Sequence, residues 1–91
     1  MKTRYDKVCD RISKSKRIHK TERGIRGGRT FIYEMCDGLS VIEYSRSTEI
    51  SFKDVPVKLY DDKLVEDVLN RVKTKYNVQE RERQEKILEE L

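Results

Sequence analysis

Residues 30–52 read T-F-I-Y-E-M-C-D-G-L-S-V-I-E-Y-S-R-S-T-E-I-S-F, and this stretch decides the fold. Two runs rich in β-branched and aromatic residues flank Asp37-Gly38. An Asp-Gly pair between such runs is typical of a two-residue type I′ hairpin, whose central residues both need positive φ. With Asp37 and Gly38 as the turn, Tyr33 faces Ile42 and Phe31 faces Tyr44.

Side chains alternate between the two faces of a hairpin, so this pairing predicts which residues are buried. The predicted core face carries the larger apolar and aromatic side chains, namely Phe31, Tyr33, Met35, Ile42 and Tyr44. The opposite face is predicted to be more exposed to solvent, because it mixes aliphatic with acidic residues. These residues are Ile32, Val41, Glu34 and Glu43.

A third strand follows, because Ile50 and Phe52 lie two residues apart and share a face. A two-residue turn at Arg46-Ser47 would put both on the wetter face. One added residue moves them onto the core face, beside Ile42, so we expect a three-residue loop or a bulge. Pro56 lacks a backbone N–H and is predicted to end the strand or to lie at a sheet edge.

Two helices flank these strands. The N-terminal one, residues 3–15, has one apolar stripe (Tyr5, Val8, Cys9 and Ile12) and a capping-box pattern, Thr3 with Asp6. The second, residues 61–76, starts at acidic capping residues, Asp61 and Asp62. Its broader stripe consists of Leu64, Val65, Val68, Leu69, Val72 and Tyr76. We expect it to pack on the face bearing Phe31, Tyr33 and Ile42, with the first helix alongside.

The C-terminal segment changes character after Asn77. Residues 79–86, Q-E-R-E-R-Q-E-K, contain no apolar residue, and Glu82 with Lys86 offers a favourable i,i+4 pair. Apolar residues return only at the end, as Ile87, Leu88 and Leu91. The segment is either a solvated helix that projects from the domain or a separate short helix. Its apolar residues either dock on a partner, including a second copy, or fold back locally.

The predicted fold is therefore α+β. A single domain, residues 1–78, holds a short N-terminal helix, a three-stranded antiparallel meander and a C-terminal amphipathic helix. Residues 13–29 form a basic, glycine-containing loop, in which residues 17–22 could form a short strand. Residues 79–91 form a charged helical extension.

Composition narrows the class of protein. The 91 residues carry a formal net charge of +4, and residues 1–33 hold 11 Lys/Arg against 3 Asp/Glu, a net of +8. The chain has no apolar run long enough to span a membrane and no signal-peptide core, so a cytoplasmic protein is expected. Its two cysteines, Cys9 and Cys36, are predicted to be reduced core thiols.

Catalytic and metal-binding patterns are lacking. His19 is the only histidine, and nothing brings Cys9 or Cys36 to it, so a solvated or phosphate-contacting imidazole is expected. These three residues also lack the close pairs of structural zinc sites. Glu34 and Glu43, expected near each other, are predicted to pair with Lys or Arg. Without a phosphate-loop or dinucleotide motif, we predict no enzyme activity, no cofactor and no metal.

The basic stretch is the main functional signal. Its seven cations in residues 14–29 face one acid, Glu22, and they are Lys14, Lys16, Arg17, Lys20, Arg23, Arg26 and Arg29. Phosphate binding uses Lys, Arg and closely approachable backbone N–H groups, which glycines permit. Gly24-Ile25-Arg26-Gly27 also matches the GxxG loop of KH domains. The alternatives are a solubilising loop or a contact for an acidic protein.

The order helix–strand–strand–strand–helix over residues 3–76 resembles the double-stranded RNA-binding domain. That family carries a basic cluster at the start of its last helix, whereas this chain has Asp61 and Asp62 there. The resemblance is one of element order, and the function is not carried over with it.

Two functional hypotheses follow. In the first, a small non-enzymatic accessory protein binds nucleic acid, RNA or DNA, through the phosphate backbone. In the second, a small modulator or inhibitor of the viral, phage or mobile-element kind binds a host protein or nucleoprotein complex. No membrane partner is expected, and a homodimer is a further option.

Overall fold

The computed structural model describes residues 2–25 and 28–91, with only the backbone described at Ile25. The elements in chain order are α1 (Arg4–Lys14), β1 (Ile18–Ile25), β2 (Gly28–Met35), β3 (Leu39–Glu43), β4 (Thr48–Phe52), β5 (Val55–Pro56) and α2 (Asp62–Glu90). The strands pair antiparallel with their sequence neighbours in one sheet, in the order β1-β2-β3-β4-β5. The α+β class is confirmed, but the meander has five strands where the sequence predicted three.

The first additional strand, β1, lies in the stretch predicted to be a loop. It pairs with β2 from Ile18↔Met35 to Ile25↔Gly28, and the Ile18 side chain is 1% exposed. The buried isoleucine and a full ladder along β2 order a segment that is otherwise polar. The loop prediction was therefore wrong for residues 18–25, although the optional short strand at residues 17–22 overlaps the first part of β1. Arg26 and Gly27 lie outside the described residues, and with them half of the GxxG match.

The β2–β3 hairpin closes with three residues, Cys36–Gly38, where two were predicted. Gly38 has φ 97, and its N–H donates to the Met35 carbonyl at 3.4 Å. The Asp37 carboxylate instead accepts the Leu39 N–H at 3.3 Å, and Asp37 does not take the positive φ of a type I′ turn. A three-residue turn that ends in a left-handed glycine satisfies these bonds without strain at Asp37.

This extra loop residue changes which side chains are buried. Tyr33 pairs with Val41 instead of Ile42, so Val41 and Leu39 lie on the core face, 0% and 1% exposed. The predicted core positions of Ile42 and Tyr44 were wrong, because a shift of one residue moves every side chain of a strand to the other face. Phe31, Tyr33 and Met35 do lie on the core face, as predicted.

The β3–β4 connection confirms one prediction and corrects another. Ile50 pairs with Val41 and Phe52 with Leu39, so both apolar residues of β4 lie on the core face. The loop that achieves this, residues 44–47, is one residue longer than predicted, and the Tyr44 N–H closes it by donating to the Ser47 carbonyl at 2.8 Å.

The second additional strand is the two-residue β5, which contains Pro56 at the sheet edge, as predicted. The turn before it consists of Lys53 and Asp54, both with positive φ, 51 and 66. The geometry expected at Asp37-Gly38 is thus found here instead. Beyond Pro56, the Val57 N–H donates to the Ile50 carbonyl at 2.8 Å, so one more backbone group at the outer edge of β4 is hydrogen-bonded.

Helix α1 begins as the sequence predicts. The Thr3 hydroxyl accepts the Asp6 N–H at 3.1 Å, and the Asp6 carboxylate accepts the Thr3 N–H at 3.1 Å, which is a complete capping box. Val8 and Ile12 are buried against the rest of the core.

Helix α2 is a single continuous helix. Asp61 caps it by accepting the Lys63 N–H at 2.9 Å, and the helix runs without interruption to Glu90. The predicted end at residue 76 was therefore wrong, because the charged segment consists mostly of good helix formers, and one i,i+3 ion pair, Arg83 with Glu80, lies within it. This settles the alternatives for the extension in favour of a continuous solvated helix.

The path of α2 across the sheet can be followed from its contacts. Val65 lies near Ile50 of β4. Lys73 pairs with Glu43 of β3 at 2.9 Å, and the Tyr76 ring packs edge-on against Tyr33 of β2 with centroids 6.0 Å apart. Gln79 then hydrogen-bonds to Ile18 of β1. We call the sheet face covered by the helices the helix face, and the other the open face.

A single core fills the space between the helices and the helix face. Its buried members come from both helices and the first four strands: Val8, Ile12, Ile18, Tyr33, Met35, Leu39, Val41, Ile50, Val68, Leu69 and Val72. Cys9 packs against this core, whereas Cys36 is exposed, so the prediction of two core thiols was wrong for Cys36; both thiols are free. Among residues 2–25 and 28–91, neither helix has the length and apolarity required to cross a bilayer.

Polar contacts also join α1 to α2. The Tyr5 hydroxyl donates to the Asp67 carboxylate, which also accepts from Arg71 Nε at 2.7 Å. The hydrogen bond to Asp67 raises the pKa of Tyr5 to about 12. Conversely, the hydrogen bonds from Tyr5 and Arg71 hold the pKa of the Asp67 carboxyl below its usual range.

Asp67→Asn should therefore make the free energy of unfolding less sensitive to pH in the acidic range. A carboxyl with a lowered pKa in the folded state stabilises it above the unfolded pKa, and this contribution is lost as pH falls through the folded pKa. The urea midpoint of the native chain should fall between about pH 5 and pH 2. Asp67→Asn should lower the midpoint at pH 7 and flatten this fall, whereas Glu66→Gln, at an exposed neighbour, should follow the native curve. Parallel curves for all three chains would contradict the role of Asp67.

Candidate nucleic-acid interface

Basic side chains from two distant parts of the sequence meet at one corner of the molecule. Lys14 ends α1, Lys16 and Arg17 precede β1, and α2 contributes Arg83 and Lys86. Arg17, Arg83 and Lys86 line a shallow depression of about 270 Å³, together with Gln79 and Glu82. We call Lys14, Lys16, Arg17, Arg83 and Lys86 the basic corner.

Gln79 brings these segments together. Its side-chain oxygen accepts the Ile18 N–H at 2.8 Å, and its side-chain nitrogen donates to the Ile18 carbonyl at 2.9 Å. Arg17 immediately precedes Ile18, and Arg83 lies one helical turn beyond Gln79. The double hydrogen bond therefore holds the start of β1 against the helix and places both arginines at the depression.

Lys75 and Ser15 fix the other side of the corner. The Lys75 ammonium donates to the Ser13 carbonyl at 2.9 Å and also bonds the Ile12 carbonyl, so it caps the C-terminal end of α1. The Ser15 hydroxyl donates to the Arg17 carbonyl at 3.0 Å. Because Lys75 satisfies the helix end, Lys14 is left to project into solvent.

Four cations of the basic corner lack a close ion-pair partner in the described part of the chain, although Glu82 lines the same depression and Asp10 lines a second one with Lys14. Within the described residues, Lys14, Lys16, Arg17 and Lys86 form no ion pair at 4.0 Å or less, and all four are exposed. The pair expected between Glu82 and Lys86 is absent from these contacts. Arg83 lies 3.5 Å from Glu80. Like charges held together without partners create a positive potential that an anion would relieve.

Lys20 lies apart from the corner. Its ammonium is 4.6 Å from the centroid of the Phe31 ring, 5.6 Å from that of Tyr33 and 5.4 Å from that of Tyr76. It is partly buried on the helix face, where it stabilises the aromatic cluster by cation–π contacts. We therefore leave Lys20 out of the interface proposed below.

The remaining cations of the basic stretch lie further along the β1–β2 hairpin. Arg29 pairs with Glu22 at 3.4 Å. Arg23 is exposed on the open face, about 20 Å from Arg17 along the strand. Arg26 lies outside the described residues. The structure thus separates a stretch that is continuous in sequence into a corner and a distal arm.

The groups considered for catalysis are not assembled into a site. His19 is exposed on the open face, opposite Glu34. Glu43 lies on the helix face and pairs with Lys73, so the expectation that Glu34 and Glu43 lie near each other was wrong. In the part of the chain that the structure describes, no cluster of three His, Cys, Asp or Glu side chains has the arrangement of a metal site.

A larger concavity of about 410 Å³ lies at the other sheet edge, between β4 and residues 56–62. Its walls are mainly apolar and its rim carries the carboxylates of Glu49, Asp61 and Asp62. These negative charges repel phosphates, so this concavity is a poor candidate for a nucleic-acid contact.

The proposed partner-binding residues lie in the projecting part of α2. Ile87 is 46% exposed and Leu88 64%, and Leu91, which follows the helix, is 96% exposed. None of the three folds back onto the core. They remain candidates for contact with another molecule.

Sequence reasoning missed Arg83 and Lys86 as members of the site. Lys86 was considered only as the i,i+4 partner of Glu82, and Arg83 was given no role. The sequence did contain one signal for them, namely that the helix capped by Asp61 has no breaker after Tyr76. A helix that continues past Tyr76 carries its C-terminal part over the strand that follows Arg17. Comparisons with protein-family models, with curated proteins and with solved structures found no match to this chain.

Proposed function

We propose that this protein binds the phosphate backbone of nucleic acid through the basic corner. It would act as a small, non-enzymatic accessory protein in the cytoplasm. The observation that carries the proposal is that Arg17 and Lys86 line one depression. Like Lys14 and Lys16, which shortly precede Arg17 in the chain, they have no ion-pair partner among the described residues. Phosphates would supply the missing counter-charge and release condensed cations on binding.

The distal arm extends this contact. A duplex carries one phosphate charge per ~1.7 Å of its axis, so a duplex bound at Arg17 could reach Arg23 about 20 Å away. The cations lie on long, flexible side chains. We therefore expect phosphate contacts with little reading of base sequence.

The test uses fluorescence anisotropy with short labelled duplex and single-stranded DNA and RNA at several salt concentrations. The corner variant replaces Lys14, Lys16, Arg17 and Lys86 by Gln. Its affinity should fall on every sequence of the preferred nucleic acid, and the salt dependence of log K should become shallower by about one per lost contact.

The matched control replaces Arg46, Lys53, Lys58 and Lys63 by Gln. These four exposed cations lie on the β4–β5 side of the molecule, so the net charge falls equally in both variants. The control should keep nearly native affinity and salt dependence. The proposal fails if the native chain does not bind at low salt. It also fails if both variants lose affinity equally, because the contact would then be general charge attraction.

The exposed apolar residues of the α2 tail favour a second candidate function. Ile87, Leu88 and Leu91 could anchor a host protein or nucleoprotein, as in a small viral or mobile-element modulator. Binding to a protein partner that survives in the corner variant but is lost on changing these three residues to Ser would favour this second function over the first.

A further inference from the structure

The outer edge of β1 carries unpaired backbone groups. Both the N–H and the carbonyl of Ile18 bond to Gln79, so they point away from β2. In an antiparallel ladder this direction alternates along the strand. The backbone groups of Lys20, Glu22 and Gly24 therefore also point outward, and within the described residues none has a hydrogen-bond partner at this edge.

The two edges of the sheet differ in this respect. On the far side, β5 and the Val57 N–H cover most of β4. At β1, Gln79 covers only the first residue. An open edge of this kind is a template for another strand unless charge or shape prevents pairing.

The sequence of β1 is self-complementary in one register. Two copies of β1 can pair antiparallel so that the outward-pointing backbone groups of each face those of the other. In such a symmetric pair one residue lies opposite itself, and that central residue can be Lys20, Thr21 or Glu22. Centring on Lys20 or Glu22 places like charges opposite each other, which is unfavourable. Centring on Thr21 places Lys20 opposite the partner's Glu22 on the helix face of both copies, and Thr21 opposite the partner's Thr21 on the open face.

We propose that β1 pairs antiparallel with β1 of a second copy, centred on Thr21, so that each Lys20 lies opposite the partner's Glu22. The central pairs exchange backbone hydrogen bonds between the two copies. Pairing stops at Ile18, whose backbone groups Gln79 occupies. The result is one continuous sheet with both α2 helices on the same side.

The α2 tail supports this arrangement. Beyond Gln79 the helix continues past the edge of β1, and residues 81–90 are exposed. In the paired sheet this projecting part of α2 lies above the partner's β1–β2 hairpin, at the end away from Ile18. Residues 80–90 hold five Glu against three Lys/Arg, a net of −2, and would approach a region that contains the partner's Arg29. Ile87 and Leu88 would gain apolar cover.

The test is sedimentation equilibrium of the full chain over a range of protein concentrations, without nucleic acid. The native chain should form a dimer. Glu22→Lys should raise the dimer dissociation constant at least about tenfold, because like charges then face each other twice. Lys20→Glu should do the same. Glu49→Lys, an equal charge change on the open face of β4, should leave the dimer unchanged.

One mixture of variants and one double variant separate edge pairing from misfolding. Glu22→Lys mixed with Lys20→Glu should form a heterodimer, since lysines then face glutamates in both pairs. The double variant Lys20→Glu with Glu22→Lys should recover the homodimer. Circular dichroism of each chain reports whether it has folded. A native chain that is monomeric at all concentrations overturns the proposal, and so does a dimer that Glu22→Lys leaves intact. Neither result bears on nucleic-acid binding.

Discussion

Lysine in place of Val41 is expected to destabilise the fold severely, whereas lysine in place of Ile42 is expected to be tolerated. Val41 is 0% exposed beneath α2, so a lysine there would bury an unpaired ammonium and should cost more than about 4 kcal/mol. A domain of this size has roughly 5–15 kcal/mol of total stability, so most of it would be lost.

Ile42 is the matched control because it is the next residue of the same strand. It lies on the open face opposite Ile32 and is only partly buried, so a lysine can extend its ammonium into water. The expected cost is about 1 kcal/mol, mainly from the lost cross-strand contact. Urea denaturation followed by circular dichroism measures both. The reverse order of stability would show that the type I′ register predicted from the sequence is the real one.

Gln79→Glu is expected to destabilise the protein by about 2–3 kcal/mol. The side chain keeps its shape and its acceptor for the Ile18 N–H, but it replaces the donor with a carboxylate oxygen aimed at the Ile18 carbonyl. One hydrogen bond is lost and a repulsion takes its place. An i,i+4 contact between the new carboxylate and Arg83 should return only about 0.3–0.5 kcal/mol.

Gln84→Glu is the control for this change, because Gln84 is exposed in the same helix and gains the same charge. Its urea midpoint should stay close to the native one. In Gln79→Glu, faster amide hydrogen exchange at Ile18 and its strand neighbours should accompany the lower midpoint, since the start of β1 is then released. Equal midpoints for the two variants would show that Gln79 does not hold β1 to α2.

The sequence was most informative where a pattern acts within a few residues. The Thr3–Asp6 capping box and the Asp61 cap correctly predicted where the helices start. Of the predicted α2 stripe from Leu64 to Tyr76, the last four members, Val68, Leu69, Val72 and Tyr76, do pack in the core. The shared face of Ile50 and Phe52 was also correct, since it depends only on strand alternation.

The hairpin register could not be obtained in this way. Asp37-Gly38 is compatible with a two-residue turn and with the last two positions of a three-residue turn. The local sequence favours the two-residue and the three-residue turn about equally. Burial of Leu39 and Val41 beneath α2 decides between them, and that contact involves residues 30 positions away in sequence.

The residues of the candidate site were also predicted from the sequence only in part. Local composition marked Lys14, Lys16 and Arg17 as candidates, and the structure leaves them exposed and without ion pairs among the described residues. The same composition also marked Lys20, whose ammonium instead lies over three aromatic rings. Arg83 and Lys86 joined the site only because Gln79 binds the backbone of β1.

By itself, the sequence determined the α+β class, the two helix starts, the apolar residues of the core helix and a basic N-terminal third. These properties depend on capping, periodicity and charge, which act over a few residues. Only the tertiary structure decided the strand count, the hairpin register, the length of α2 and the membership of the basic corner. Each of these depends on burial or hydrogen bonds between residues far apart in sequence, whose free energy exists only once the sheet and α2 have packed together.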